Sequence, residues 1–194
     1  MKIIDPHIHL FDLHNGDYQW LKQDNPPHWP DKTIICQDFS EQALQLTAPL
    51  TLAGFVHIEA GFDNQRPWRE LQWLEQHCQL PFKAVACADL SLPGMEFNNQ
   101  IQQLLKQKSL VGVRQILDDE ALTLLSLPQV QKNMAYLGEQ QLSFDCQMPL
   151  DNRQTTEQLI QIIKKTPTLK CIINHSGFPP LITRLKRSHC GRTT

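Results

Sequence analysis

No stretch of the chain approaches the roughly 18 consecutive apolar residues that a membrane-spanning helix needs, so the sequence predicts no membrane partner. Charge of one sign is equally scarce. The 18 basic and 20 acidic residues leave a net charge of −2, without the basic excess that nucleic-acid binding draws on. Glycine is sparse at 8 residues, and none belongs to a GxGxxG or GxxxxGK[ST] phosphate loop or to a GxSxG nucleophile elbow. The six cysteines (Cys36, Cys78, Cys87, Cys146, Cys171, Cys190) include no CxxC pair. Disulfide frameworks belong to short, core-poor secreted chains, so these read as free thiols in a reducing compartment. The opening Met1-Lys2-Ile3-Ile4-Asp5 lacks the long apolar core of a secretory signal. The expectation is a cytoplasmic protein.

What the sequence does contain is a recurring alternation. Apolar runs rich in β-branched residues lie at Ile3–His9, Leu52–Glu59, Lys83–Asp89, Leu110–Ile116, Leu142–Gln147 and Leu169–His175. After a longer first interval they recur about every thirty residues, the length of one strand with its crossover helix. Near-continuous hydrophobicity is what strands buried on both faces require. Helical stripes fill the gaps: Trp68, Leu71, Leu74 and Cys78; Phe97, Ile101, Leu104 and Leu105; Val130, Met134 and Leu137; Leu159, Ile160 and Ile163. The pattern predicts an α/β protein with a parallel sheet. The surplus in the first interval falls in Gly16–Asp31, where Pro26, Pro27 and Pro30 forbid regular helix or central strand. Such a loop either serves the site or tucks its aromatics, Tyr18, Trp20 and Trp29, against the body.

Chemistry concentrates at the ends of the apolar runs. In Asp5-Pro6-His7-Ile8-His9 the two histidines are two positions apart on a strand and share a face, offering two nitrogens to one metal ion. The later runs close on His57 and Glu59, on Asp89, on Arg114, on Asp145 and Gln147, and on Asn174-His175. Parallel strands present these ends together, where barrels and open α/β sheets keep their sites. His175 then offers a third nitrogen to His7 and His9.

With those residues in hand, the chain resembles the amidohydrolase-2 (amidohydrolase-related) family of TIM-barrel hydrolases, in its lactonase-like branch. The matching segments, in order, are Ile4–Asp12, Tyr18–Leu21, Asp38-Phe39, Val56–Ala60, Ala88–Leu90, Gly112–Arg114, Phe144-Asp145 and His175–Pro180. The resemblance implies an incomplete (β/α)8 TIM barrel of about six β-α units over residues 1–180. It implies His7, His9 and His175 as catalytic and metal-holding residues, with His57, Arg114 and Gln147 contacting substrate. The reaction implied is water attack on the polarised carbonyl of a lactone or similar cyclic ester or amide. Relatives of this kind work with one divalent metal, zinc or manganese, or without a metal through the same histidines.

The departures generate expectations of their own. Asn174 and Phe178 stand where the family carries Asp and Lys. The family's eighth-strand Asp, its general base, has no counterpart, and residues 181–194 form an atypical basic tail that reads as out of frame. The expectation is therefore a C-terminally truncated, inactive hydrolase whose open barrel edges favour a homo-oligomer. A PHP-type metal phosphoesterase, which also begins on a strand-end HxH, and a non-catalytic barrel fragment that associates with another chain are the alternative readings.

Overall fold

The computed structural model describes residues 1–179. Strands and helices alternate as β1 (Lys2–Ile8), α1 (Lys32–Ile35), β2 (Thr51–Ile58), α2 (Trp68–His77), β3 (Phe82–Cys87), α3 (Gly94–Leu104), β4 (Leu110–Ile116), α4 (Ala121–Ser126), α5 (Pro128–Glu139), β5 (Ser143–Gln147), α6 (Arg153–Lys165) and β6 (Lys170–Ile173). The six strands form one sheet in sequential order, and every neighbouring pair is parallel. The helices pack on one face and the sheet curls as an incomplete (β/α)8 barrel, the fold the resemblance implies. Among the described residues no helix is long and apolar enough to cross a membrane.

The core is the layer between sheet and helices. Phe55, Ala84, Ala86, Phe144 and Cys146 from the strands pack on Leu71, Leu74, Phe97, Ile101, Leu104, Met134 and Leu137 from the helices, all essentially buried. Small alanines along β3 leave room for bulky side chains on α2 and α3. Helix starts follow local chemistry: Pro128 occupies the first turn of α5, and Asn152 Oδ1 caps α6 by accepting from the Thr155 amide at 3.2 Å. The α6 stripe differs from expectation. Thr155, Leu159 and Ile162 are buried, while Ile160 is largely exposed. The spacing of 155, 159 and 162 follows one face of a 3.6-residue helix, and Ile160 lies about 100° round from Leu159. Helix α4, which the sequence stripes do not announce, fills the connection before α5.

The strands stop short of the apolar runs. His9, Glu59, Asp89 and His175 lie just beyond the last strand residue. These polar groups leave the ladder to bond loops and one another, and this is how the strand ends become a site. The long β1–β2 connection tucks its aromatics against the body, one of the two outcomes the sequence allowed. Tyr18, Phe11, Leu21, Ala60 and Phe62 form a second buried cluster. Trp20 Nε1 donates to the Ala60 carbonyl at 2.7 Å, and the Tyr18 amide donates to the Gly61 carbonyl, so the loop is stitched to the segment that follows β2. Gly61 has φ of +80°, and a Cβ there would stand 2.8 Å from the Trp20 ring; the position needs glycine on both counts. Lys32 is buried and fastens the loop by donating to the carbonyls of Lys22 and Asn25.

Candidate active site

Position along the strands decides which side chains meet. His7 lies at the end of β1 and His9 one residue past it, and their ring centroids are 5.1 Å apart. His175 follows β6, and its ring centroid is 5.4 Å from that of His7. The three histidines named from the sequence are therefore gathered at one place, across the two strands that end the sheet.

Each imidazole is held differently. His9 Nδ1 donates to the Ile58 carbonyl at 2.8 Å, with the Glu59 carbonyl at 3.2 Å, which leaves Nε2 uncommitted. Burial, assisted by the Arg114 guanidinium, drives its pKa down to about 3, so the ring is neutral near pH 7 and keeps a nitrogen lone pair. Burial and Arg114 also lower the His7 pKa. His7 Nε2 is buried and has no hydrogen-bond partner among the described residues. His175 is presented by a left-handed turn: His175, Ser176, Gly177 and Phe178 have φ of 49°, 54°, 68° and 50°.

Arg114 and Glu59 form the buried centre of the site. Arg114 Nε donates to Glu59 Oε1 at 2.8 Å and Nη2 reaches the same oxygen at 2.7 Å, while Nη2 also donates to the Glu59 carbonyl. Nη1 donates to Gln147 Oε1 at 3.2 Å, so the expected substrate residues Arg114 and Gln147 are brought together. Burial raises the Glu59 pKa and Arg114 opposes the rise, as expected for an ion pair withdrawn from water.

His57 is placed differently. It is fully buried, its Nδ1 accepts from the Leu10 amide at 3.3 Å, and its Nε2 donates to Glu70 Oε1 at 3.1 Å. Both nitrogens are spent inside the protein, so His57 ties β1 to β2 and α2 and has no atom left for substrate. Asp89 accepts from the amide and hydroxyl of Ser91 and acts as a loop cap.

Two participants escape sequence reasoning. Glu70 accepts from both His57 and the Ala60 amide. A signal for it exists, because Glu70 is one helical turn before Leu74 and so falls on the apolar stripe of α2. The second is a pairing: Asn174 Nδ2 donates to Asp145 Oδ2 at 3.1 Å. Asp145 is the register partner of Arg114, which puts it on the same face of the sheet.

As to a metal, His7 Nε2 is an orphaned buried nitrogen, and His9 is neutral with Nε2 uncommitted; these two donors fit a nitrogen-bound divalent cation. Among the described residues no three His, Cys, Asp or Glu groups are arranged to hold one.

The fold has known counterparts. No family model matches the sequence. Amidohydrolase 2 from Bifidobacterium longum subsp. infantis superposes with a TM-score of 0.64 at 15% identity, over 95% of this chain and 65% of that one. An amidohydrolase from Burkholderia multivorans, solved with bound zinc, gives a TM-score of 0.63 at 17% identity, over 90% and 57%. This chain shares the fold of these two amidohydrolases. In sequence, the uncharacterized protein y4mH of Sinorhizobium fredii is 28% identical over 194 residues, 91% of this chain and 62% of the relative. The chain thus spans under two thirds of the length of each of these relatives.

Proposed function

We propose that the chain belongs to an amidohydrolase-related hydrolase that opens a lactone, or a similar cyclic ester or amide, by water attack on a polarised carbonyl. The observation that carries this reading is the pair of imidazoles His7 and His9, which offer uncommitted ring nitrogens beside a guanidinium clamped by Glu59 and Gln147. Lactone hydrolysis places negative charge on the carbonyl oxygen, and fixed donors aimed at that oxygen lower the barrier. Arg114 is pre-oriented for such work because three of its bonds are already made within the protein. Gln147 holds Nη1 toward the strand ends, and His57 positions the β1–β2 junction through Leu10 and Glu70.

His7 and His9 are the residues that would hold a zinc or manganese ion, with His175, whose ring centroid is 5.4 Å from that of His7, the third nitrogen that the resemblance implies although the three do not stand as a closed ligand set among the described residues. Such an ion, when bound, supplies Lewis-acid polarisation and a more acidic water. The fold relatives are amidohydrolases by name, and one carries zinc.

The test is metal analysis together with turnover. Protein purified without chelator is expected to carry close to one zinc or manganese per chain, and His7→Ala to lose most of it. A panel of simple γ- and δ-lactones, followed by acid release, measures hydrolysis. Unchanged metal content in His7→Ala removes the metal assignment. Turnover by the metal-loaded protein supports the hydrolase assignment and overturns the expected inactivity, and failure of every lactone to shift the Tm removes the lactone assignment.

A further inference from the structure

Two side chains at the strand ends remain chemically unfinished, and the reaction outlined above does not use them. Asp145 on β5 and Asn174 just past β6 are both more than nine-tenths buried. Their mutual bond consumes Asp145 Oδ2 and Asn174 Nδ2. Asp145 Oδ1 and Asn174 Oδ1 are buried and have no hydrogen-bond partner among the described residues. The amide orientation follows from chemistry, because a carboxylate only accepts, so the Asn174 NH2 must face it and the Asn174 oxygen must face away. The result is two open acceptors on neighbouring strands with no donor between them. Arg114 does not fill the gap: its hydrogen bonds go to Glu59 and Gln147. Buried acceptors left open are costly, and natural proteins keep them where something else supplies the donor.

The location identifies what that something is. Asp145 registers beside Arg114, and Asn174 immediately precedes His175, whose ring faces His7. The pair therefore sits at the strand ends beside the candidate site. We propose that Asp145 and Asn174 form a specificity-determining cradle that accepts a hydrogen-bond donor, a hydroxyl or a protonated amine, on the ligand atom adjacent to its carbonyl. This deepens the hydrolase reading and rests on it for the position of the carbonyl. Each residue offers one open acceptor, and a ligand that lacks the donor leaves them unpaired, which is how a polar site rejects an analogue far more strongly than an apolar one does.

Three probes share one ring and differ only at the position in question: γ-butyrolactone, α-hydroxy-γ-butyrolactone and α-amino-γ-butyrolactone. Wild-type protein is expected to favour at least one donor-bearing probe over the bare ring by about tenfold or more in kcat/KM; whichever leads identifies hydroxyl or ammonium as the donor. Asp145→Asn is isosteric, keeps an oxygen for the Asn174 amide and turns the open oxygen into an NH2. It is expected to bring the three probes within about twofold of one another. Equal use of all three by the wild type, or an unchanged preference in Asp145→Asn, overturns the cradle and leaves the hydrolase reading standing. If no probe is hydrolysed, thermal shift decides the cradle. A rise in Tm with the donor-bearing probes alone, lost in Asp145→Asn, supports it, and equal shifts for all three, or none, overturn it. The wild-type comparison holds even if the variant does not fold.

Discussion

Arg114 and Glu59 show how much depends on single side chains here. Both are withdrawn from water, and their double contact at 2.7 and 2.8 Å leaves neither charge exposed. Arg114→Met strands a buried carboxylate and is expected to lower stability by about 3–5 kcal/mol, measured by urea unfolding. Adding Glu59→Gln to that variant should restore most of the loss; a double variant as unstable as the single one would show that the pair is not the reason. His9 makes a different statement, through pH. Unfolded, its imidazole binds a proton near 6.5; folded, burial and Arg114 hold the proton off until about 3. Between those values the unfolded chain carries more protons. Its contribution is thus complete above about 6.5 and drains away as pH falls toward about 3, by up to ~1.4 kcal/mol per pH unit. His7 shifts in the same direction. In metal-free protein, His9→Gln is expected to flatten the fall in urea midpoint between pH 6.5 and 4. An equally steep fall in the variant would place the titration elsewhere.

At the scale of the element, the segment after β6 is the most strained piece of chain around the site. Four successive residues, His175 to Phe178, have positive φ, and only one of them is glycine. A non-glycine residue there costs on the order of 1–2 kcal/mol. Part of that cost is met by packing and bonding: the Leu150 amide donates to the Gly177 carbonyl, and a Cβ on Gly177 would fall 2.4 Å from Leu150. Ser176 is exposed, so chiefly its backbone is at stake. Ser176→Gly is expected to raise stability by roughly 0.5–1 kcal/mol. Gly177→Ala should lower it by more than about 1 kcal/mol, since it adds a clash to the strain. Denaturant midpoints check both. If Ser176→Gly is destabilising, the left-handed turn is not the resting conformation. The turn bears on function because it carries the His175 ring to its place against His7.

Across the whole molecule, the order of strands leaves β1 and β6 as the two ends of the sheet among the described residues. Each end exposes an isoleucine, Ile4 at 67% and Ile172 at 48%. Unpaired backbone donors and acceptors beside such residues invite strand pairing between copies, and a charge on the edge discourages it. Ile172→Lys, with or without Ile4→Lys, is therefore expected to raise the protein concentration at which light scattering reports self-association. No change in that concentration would show that these edges are not the adhesive surface.

The architecture was legible from the sequence because its cause is local and repeated. Apolar β-branched runs and amphipathic stripes recur at the length of one strand-and-helix unit, and parallel strands with right-handed crossovers leave few other arrangements. His7 and His9 were legible for the same reason, since a two-residue spacing on a strand puts both on one face. The fates of His57 and Asp145 were not. His57 has the same residue type and the same strand-end position as the others, yet Leu10 and Glu70, from two other segments, claim both its nitrogens. Asp145 and Asn174 are 29 residues apart, and nothing in either neighbourhood signals that they share one bond and leave two oxygens open. The sequence by itself determined the parallel sheet, its order and the histidines at its strand ends, because hydrophobic period and residue spacing act within a few residues. Only the tertiary structure decided which polar groups are consumed and which stay open, because a hydrogen bond is made across space and forms between whichever partners the packing of distant segments brings within about 3 Å.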